Sequence, residues 1–217
     1  MTDVFAYLSR GGIIMIPLLL SSIIGLAIVI ERAISLRRKK VLIPEIINIV
    51  DSLNSVEDIQ LASSICQKHK GPFSNIILTG LQNQDLEQNE IKEMLNDQGR
   101  QEVRNLERGL PTLETIAGIG PLLGLLGTVL GMIKVFTVIS QQGTGQASLL
   151  AGGISEALIT TATGLVIGIL ALIMYNYYSN RAESFILDIE KYTTQLLQKS
   201  RKLQYSNSAV LENEKSN

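Results

Sequence analysis

Charge is scarce in this 217-residue chain, and so are the residues that build most active sites. Asp, Glu, Lys and Arg make up 18% of it, against about a quarter in an ordinary soluble domain, and the mean hydropathy is +0.24. The 19 basic and 20 acidic residues nearly cancel, to a net charge of −1, which removes the electrostatic case for nucleic acid. Tryptophan is absent, and a single cysteine, Cys66, excludes a disulfide within the chain. Cys66 and His69 stand at a C-x-x-H spacing, but they are the only Cys and the only His. A zinc site needs four ligands, so the pair reads as a small buried thiol and a surface histidine, and no metal or cofactor is expected. Without a nucleophile–base pair or a metal set, no enzyme is expected either.

The charges that exist are unevenly placed. Gly11–Ile30 holds none, and the much longer stretch Thr115–Asn180 carries only Lys134 and Glu156. Of the ionisable residues, 17 of the 19 basic and 17 of the 20 acidic ones fall in 32–114 or 181–217. A bilayer core takes roughly 20 helical residues to cross, so the first run is one span. The second run is long enough for two, with a turn at the polar, Gly-rich stretch 140–149. The fold class is therefore an all-α integral membrane protein with three transmembrane helices, at 11–30, 113–139 and 150–178. A cleaved signal peptide is a poor match for the first: the run is too long, and Glu31-Arg32 follows it without a small-residue cleavage pattern.

Orientation comes from the basic residues near the helix ends. Arg32, Arg37, Arg38, Lys39 and Lys40 follow the first span, Arg100, Arg104 and Arg108 precede the second, and Arg181 follows the third, whereas the turn is uncharged. The positive-inside rule then puts residues 1–10 in the periplasm as a short N-terminus and 31–112 in the cytoplasm as a helical domain. Within that domain helical spacing predicts short helices at 44–53, 56–68 and 73–83, then a long one from 87 whose apolar stripe runs into the second span through a kink at Pro111. The third span similarly continues as a cytoplasmic helix over 179–205, with Phe185, Ile189, Tyr192 and Leu196 in register. Residues 206–217 read as a disordered polar tail.

Small residues crowd the second span. Gly120, Gly124 and Thr128 fall at i, i+4 and i+8, and Gly127 and Gly131 form a second small-x-x-x-small pair. In lipid such residues let backbones approach closely, and two small faces on one helix favour contacts on two sides, as in an oligomeric ring. The third span carries Glu156, Thr160, Thr161, Thr163, Gly164 and Gly168. On a helical wheel Glu156, Thr160 and Thr163 share a face, and Thr161 lies well round from it. An ionised carboxylate within the bilayer costs at least about 2.5 kcal/mol unless it is compensated. Counted from the turn centre near Thr144, Lys134 stands almost as far back as Glu156 stands forward, so the two lie at similar depth as a possible ion pair. By the same count Thr128 and Thr161 are level with each other and lie deeper. A G-x-G-x-x-x-G run at Gly118–Gly124 falls inside a span with no preceding strand, which excludes a dinucleotide site.

The run Gly120-Pro121-Leu122-Leu123-Gly124-Leu125-Leu126-Gly127-Thr128-Val129-Leu130-Gly131-Met132 is similar to the second transmembrane signature of ExbB/TolQ proteins, distant relatives of the flagellar stator subunit MotA. Gly153-Ile154-Ser155-Glu156-Ala157-Leu158-Ile159-Thr160-Thr161-Ala162-Thr163-Gly164-Leu165 resembles their third-span signature. ExbB is nearer than MotA, because MotA-type subunits have four spans. The resemblance implies a cytoplasmic-membrane motor subunit of a Gram-negative bacterium: a ring-forming homo-oligomer, a pentamer, around a dimer of ExbD- or TolR-like single-span subunits that each bring an essential Asp. It implies proton flow coupled to work on a TonB-like or Tol-like partner, with Glu156 as the intramembrane carboxylate and Thr128 and Thr161 as hydroxyls of the path. Thr160 joins them from the wheel. Gly120, Gly124, Gly127, Gly131 and Gly164 are assigned to helix packing, and Lys134 lies outside the signature. A TolQ-like subunit of a Tol-Pal system and a non-transporting membrane scaffold are the alternatives.

Overall fold

The computed structural model describes residues 11–53, 55–83, 86–143 and 145–215, and of 56, 57, 88 and 203–215 the backbone alone. Among these residues the secondary structure is helical: α1 (Met15–Ser35), α2 (Arg38–Val41), α3 (Pro44–Ser52), α4 (Val56–Lys68), α5 (Pro72–Gln82), α6 (Gln88–Leu106), α7 (Leu110–Gln142) and α8 (Ala147–Lys215). Three of them, α1, α7 and α8, are long and apolar enough to cross a membrane. The chain divides into two compact units, Met1–Arg32 with Gly109–Tyr178, and Ala33–Arg108 with Ser179–Asn217.

The first unit is packed inside out relative to a soluble bundle. Its large apolar side chains point away from the protein, among them Leu122, Leu125, Ile133 and Phe136 on α7 and Leu158 and Ile169 on α8. Its inner faces are glycine, alanine, serine and threonine. That polarity suits a lipid solvent, where close backbone packing rather than apolar burial joins helices. Larger side chains gather in two clusters, with Ile167 packed against both. Met15 and Leu18 of α1 cluster with Ile159, and Leu113, Ile116 and Ala171 form a second cluster with Ile28 and Val29 against it. Gly25 leaves room for Ile116 and Leu113, each of which would stand 3.7 Å from an added Cβ. Polar groups inside are answered locally: Ser21 Oγ donates to Leu18 O at 2.8 Å, and Tyr178 Oη donates to Val29 O at 3.2 Å.

Two helix starts differ from the sequence reading. The first helix begins at Met15, because Gly12 adopts a left-handed φ of 68° and its carbonyl accepts from Met15 N in a turn. The long helix expected to run from 87 through a kink at Pro111 is instead two helices. It stops at Leu106, Gly109 takes a φ of 79°, and Pro111 lies in the first turn of α7. A proline is harmless there, since its missing N–H would have been unpaired anyway. The proline that does lie inside a helix is Pro121, and its ring packs on Gly168 of α8. The expectation of a disordered tail over 206–217 meets a helix that runs to Lys215, and the expected periplasmic segment 1–10 lies outside the described residues.

The second unit has a conventional core. Leu42, Ile46 and Val50 of α2–α3, Phe73 and Ile77 of α5, and Leu196 of α8 are all essentially sealed from solvent. Local sequence chemistry sets the helix ends. Ser55 and Asp58 form a reciprocal capping box at the start of α4. The last turn of α3 is closed by Lys199 Nζ, which donates to Val50 O at 3.0 Å and to Asp51 O. Glu102, also buried, accepts from Asn75 Nδ2 (2.7 Å), Gln98 Nε2 (3.0 Å) and Asn105 Nδ2 (3.0 Å), so a carboxylate ties α5 to α6.

Cys66 is buried in this core, and desolvation pushes its thiol up to about 11 from 9.0. Only the thiolate reacts with alkylating agents, so at pH 8 the folded chain should be labelled about a hundredfold more slowly than the unfolded chain, by the thiolate fractions alone. Because the unfolded thiol ionises first, this group removes stability as pH rises from about 9 to about 11. Iodoacetamide labelling followed by mass spectrometry, with and without denaturant, checks the rate difference.

Candidate functional site: an ion pair on the helical hairpin

The antiparallel pair α7–α8 is zipped by small residues. A Cβ added at Gly120 would meet Gly164 O at 3.0 Å, at Gly124 it would meet Thr161 Cα at 3.0 Å, and at Gly131 it would meet Ala157 Cβ at 2.7 Å. At Gly127 it would collide with the Thr160 side chain, and at Gly164 it would fall 2.5 Å from Gly120 O and 2.9 Å from Gly124 Cα. Gly120, Gly124, Gly127 and Gly131 therefore occupy one face and one seam within the chain. This corrects the reading of two small faces. On a wheel of 100° per residue the four fall within about 60° of each other, and Thr128 lies to the side. Gly168, together with Gly153 and Ala157 of the third-span signature, completes the α8 side of the seam.

Close packing fixes the register, and the register brings the two intramembrane charges together. Lys134 Nζ donates to Glu156 Oε2 at 2.7 Å. The Glu156 side chain is 24% exposed and that of Lys134 is 65% exposed. The carboxylate thus has a wall behind it and one cation in front. Part of the wall is the turn before α1: a Cβ added at Gly12 would push the Glu156 carboxylate aside, and its left-handed φ favours glycine there. Next to it, Thr160 Oγ1 lies 2.8 Å from both Gly11 O and Glu156 O and is 1% exposed. The first span thereby packs its opening turn onto the Glu156–Thr160 face, a contact between residues 149 apart in sequence.

The other hydroxyls are not gathered at the carboxylate. Thr161 turns to α7 and donates to Gly124 O at 2.8 Å, stitching the seam. Thr128 donates to Leu125 O on its own helix at 2.6 Å. Thr163 donates to Ile159 O at 2.8 Å. Each threonine has committed its proton to a carbonyl, but each hydroxyl oxygen keeps acceptor capacity for water. What the arrangement offers chemically is one ionisable carboxyl with a cationic partner and the Thr160 hydroxyl beside it, the other hydroxyls lying apart along the two helices.

Residues 68–191, which include all of Leu110–Gln142 and the following helix as far as Lys191, match the MotA/TolQ/ExbB proton channel family. The chain belongs to that family. It is similar to the biopolymer transport protein ExbB of Salmonella typhimurium, with 32% identity over 208 residues, 90% of this chain and 84% of the relative. An ExbB-like protein of Synechocystis sp. is 36% identical over 171 residues, 76% of this chain and 66% of that protein. The Tol-Pal system protein TolQ of Pseudomonas aeruginosa is 41% identical over 85 residues, 39% of this chain and 37% of TolQ. The chain thus spans just under two thirds of the Synechocystis relative and more than four fifths of the Salmonella one. The family is one of membrane channel and stator proteins rather than enzymes, and it contains ExbB and TolQ members alike.

Proposed function

We propose that this chain is the proton-conducting stator subunit of an ExbB–ExbD-like motor in the inner membrane of a Gram-negative bacterium. In this reading a ring of copies, a pentamer, surrounds a dimer of single-span ExbD/TolR-like subunits and uses the proton motive force to energise TonB-dependent outer-membrane transport. The N-terminus faces the periplasm and the second unit faces the cytoplasm, as the positive-inside rule demands of the basic residues next to the spans. The observation that carries the reading is the Lys134–Glu156 pair at 2.7 Å, formed by the only two charges in residues 115–180. Charges retained inside a membrane span mark ion paths by default.

The chemistry follows from the neighbours. Lys134 is the counter-ion of the Glu156 carboxylate in the pair. A carboxyl group brought opposite by a partner helix competes for the same ammonium and frees the Glu156 carboxyl to take part in proton transfer. Thr128, Thr160 and Thr161 contribute hydroxyl oxygens that order the water delivering the proton. Each charge that crosses supplies about 2.3 kcal/mol per 100 mV, so a few protons drive one step of a rotating or rearranging partner. Similarity to an ExbB over 90% of the chain supports the TonB-type system, and likeness to TolQ proteins over 39% and 43% of it supports a Tol-Pal role as the second reading.

The hydroxyls of the path are testable apart from the carboxylate. Thr128→Ala and Thr161→Ala, each co-expressed with the single-span partner, should lower energy-dependent uptake of a TonB-dependent substrate severalfold without abolishing it. Wild-type uptake in both variants would take the hydroxyls out of the path. Wild-type uptake combined with Tol-type envelope defects would assign the chain to the second reading.

A further inference from the structure

A cleft of about 470 Å³ in the second unit is lined by Lys39, Lys40, Glu45, His69 and Lys70, among others. Its lysines come from two stretches far apart in sequence. Lys39 and Lys40 belong to α2, just after the first span, and Lys70 follows α4 beside His69; Lys68, outside the lining, is exposed at the end of that helix. The fold joins the two stretches: an added Cβ at Gly71 would stand 3.4 Å from the backbone carbonyl of Lys40. Both backbones are held. Lys40 N, Val41 N and Leu42 N donate to Arg37 O, Arg37 O and Arg38 O, Val41 and Leu42 are buried, and His69 N donates to Ile65 O. The four lysines project outward from this rigid frame, and among the described residues none of them is in an ion pair. Glu45 is the single acid in the lining, against three lysines.

Topology accounts for only half of this charge. The positive-inside signal is counted within about 15–20 residues of a span. Lys39 and Lys40 qualify, but Lys68 and Lys70 lie far outside that range, roughly midway in sequence between Ile30 and Leu110. Bringing uncompensated like charges together costs energy, so the convergence of Lys39, Lys40 and Lys70 on one cleft, with Lys68 next to Lys70 in sequence, points to an anion that offsets it. We propose that this cleft binds a phosphate group, supplied by the headgroup of an anionic phospholipid or by free phosphate. The headgroup source is within reach: helix to Ser35 and then extended chain put Lys39 no more than about 20 Å from Ile30, the last uncharged residue of the span. Clusters of lysine at that position attract anionic lipid surfaces.

The test uses the purified full-length chain in neutral detergent, with phosphatidylglycerol, phosphatidylcholine and inorganic phosphate as separate probes, and with bound lipid and thermal unfolding as readouts. Phosphatidylglycerol should bind and stabilise, and phosphatidylcholine should not. Lys39→Gln/Lys40→Gln and Lys68→Gln/Lys70→Gln should each weaken phosphatidylglycerol about tenfold or more, while the charge-matched Lys92→Gln/Lys191→Gln should leave it unchanged. Displacement of the lipid by inorganic phosphate, with the same two pairs of lysines required, would identify free phosphate as the source. Equal losses in all three double variants would mean a diffuse surface field and overturn the site, as would binding of none of the probes. The outcome does not depend on whether the hairpin conducts protons.

Discussion

Gly164→Val is expected to unfold the hairpin, and Gly118→Val, on the facing helix, is expected to do almost nothing. An added Cβ at Gly164 falls 2.5 Å from Gly120 O and 2.9 Å from Gly124 Cα, whereas nothing lies within 4 Å of one added at Gly118. Both atoms that Gly164 would strike belong to backbone, so no rotamer change relieves the clash and the two helices must move apart. Separation breaks more than one contact. The Thr161–Gly124 hydrogen bond and the packing of Gly127 on Thr160 depend on the same spacing, and in lipid no hydrophobic force between helices compensates. The cost should exceed the ~1–3 kcal/mol of ordinary overpacking. Thermal unfolding in detergent should therefore show a large drop for Gly164→Val and a change near zero for Gly118→Val. Similar midpoints in the two variants would contradict the seam.

Glu156→Gln should reduce energy-dependent function to the level of a strain lacking the chain, at normal expression. Glutamine keeps the shape and can still accept from Lys134, but it has no carboxyl to protonate, and it leaves the ammonium without a counter-charge. A scaffold held together by the pair makes a different forecast from a proton path. If the pair is only a clamp, the exchange Lys134→Glu with Glu156→Lys restores it and restores function. If Glu156 carries the proton, the exchanged chain folds but stays inactive, because the carboxylate now projects from α7, away from Gly12 and Thr160. Expression level, thermal stability and uptake measured on the three variants separate the two.

How much of this was legible in the sequence depended on the range of the physics involved. Span number, the position of the turn and the short helices of the second unit follow from charge spacing and apolar period. The structural helices Pro44–Ser52, Val56–Lys68 and Pro72–Gln82 stand beside 44–53, 56–68 and 73–83 from the periodicity. Counting outward from Thr144 placed Lys134 and Glu156 at similar depth, and a tight antiparallel hairpin leaves them little choice but to meet. The wheel separated Thr160 from Thr161, and the two hydroxyls indeed take different partners. The single glycine seam was hidden because i, i+4 pairs were counted separately, although a stagger of four, three and four residues keeps one face turned to its neighbour. The break at Gly109 depended on a left-handed backbone angle that glycine permits but does not announce. The contact of Gly11 and Gly12 with Glu156 and Thr160 joins segments far apart in the sequence, Gly11 and Thr160 being 149 residues apart. The two adjacent glycines opening the first span were its only trace.

Proton flux is the direct test of the central claim. The chain and its single-span partner, reconstituted together in vesicles with a pH-sensitive dye inside, should acidify the lumen when a membrane potential, inside negative, is imposed. Glu156→Gln in the same vesicles should bring the rate down to that of protein-free lipid. A Glu156→Gln complex that assembles and conducts protons at the wild-type rate would contradict the account.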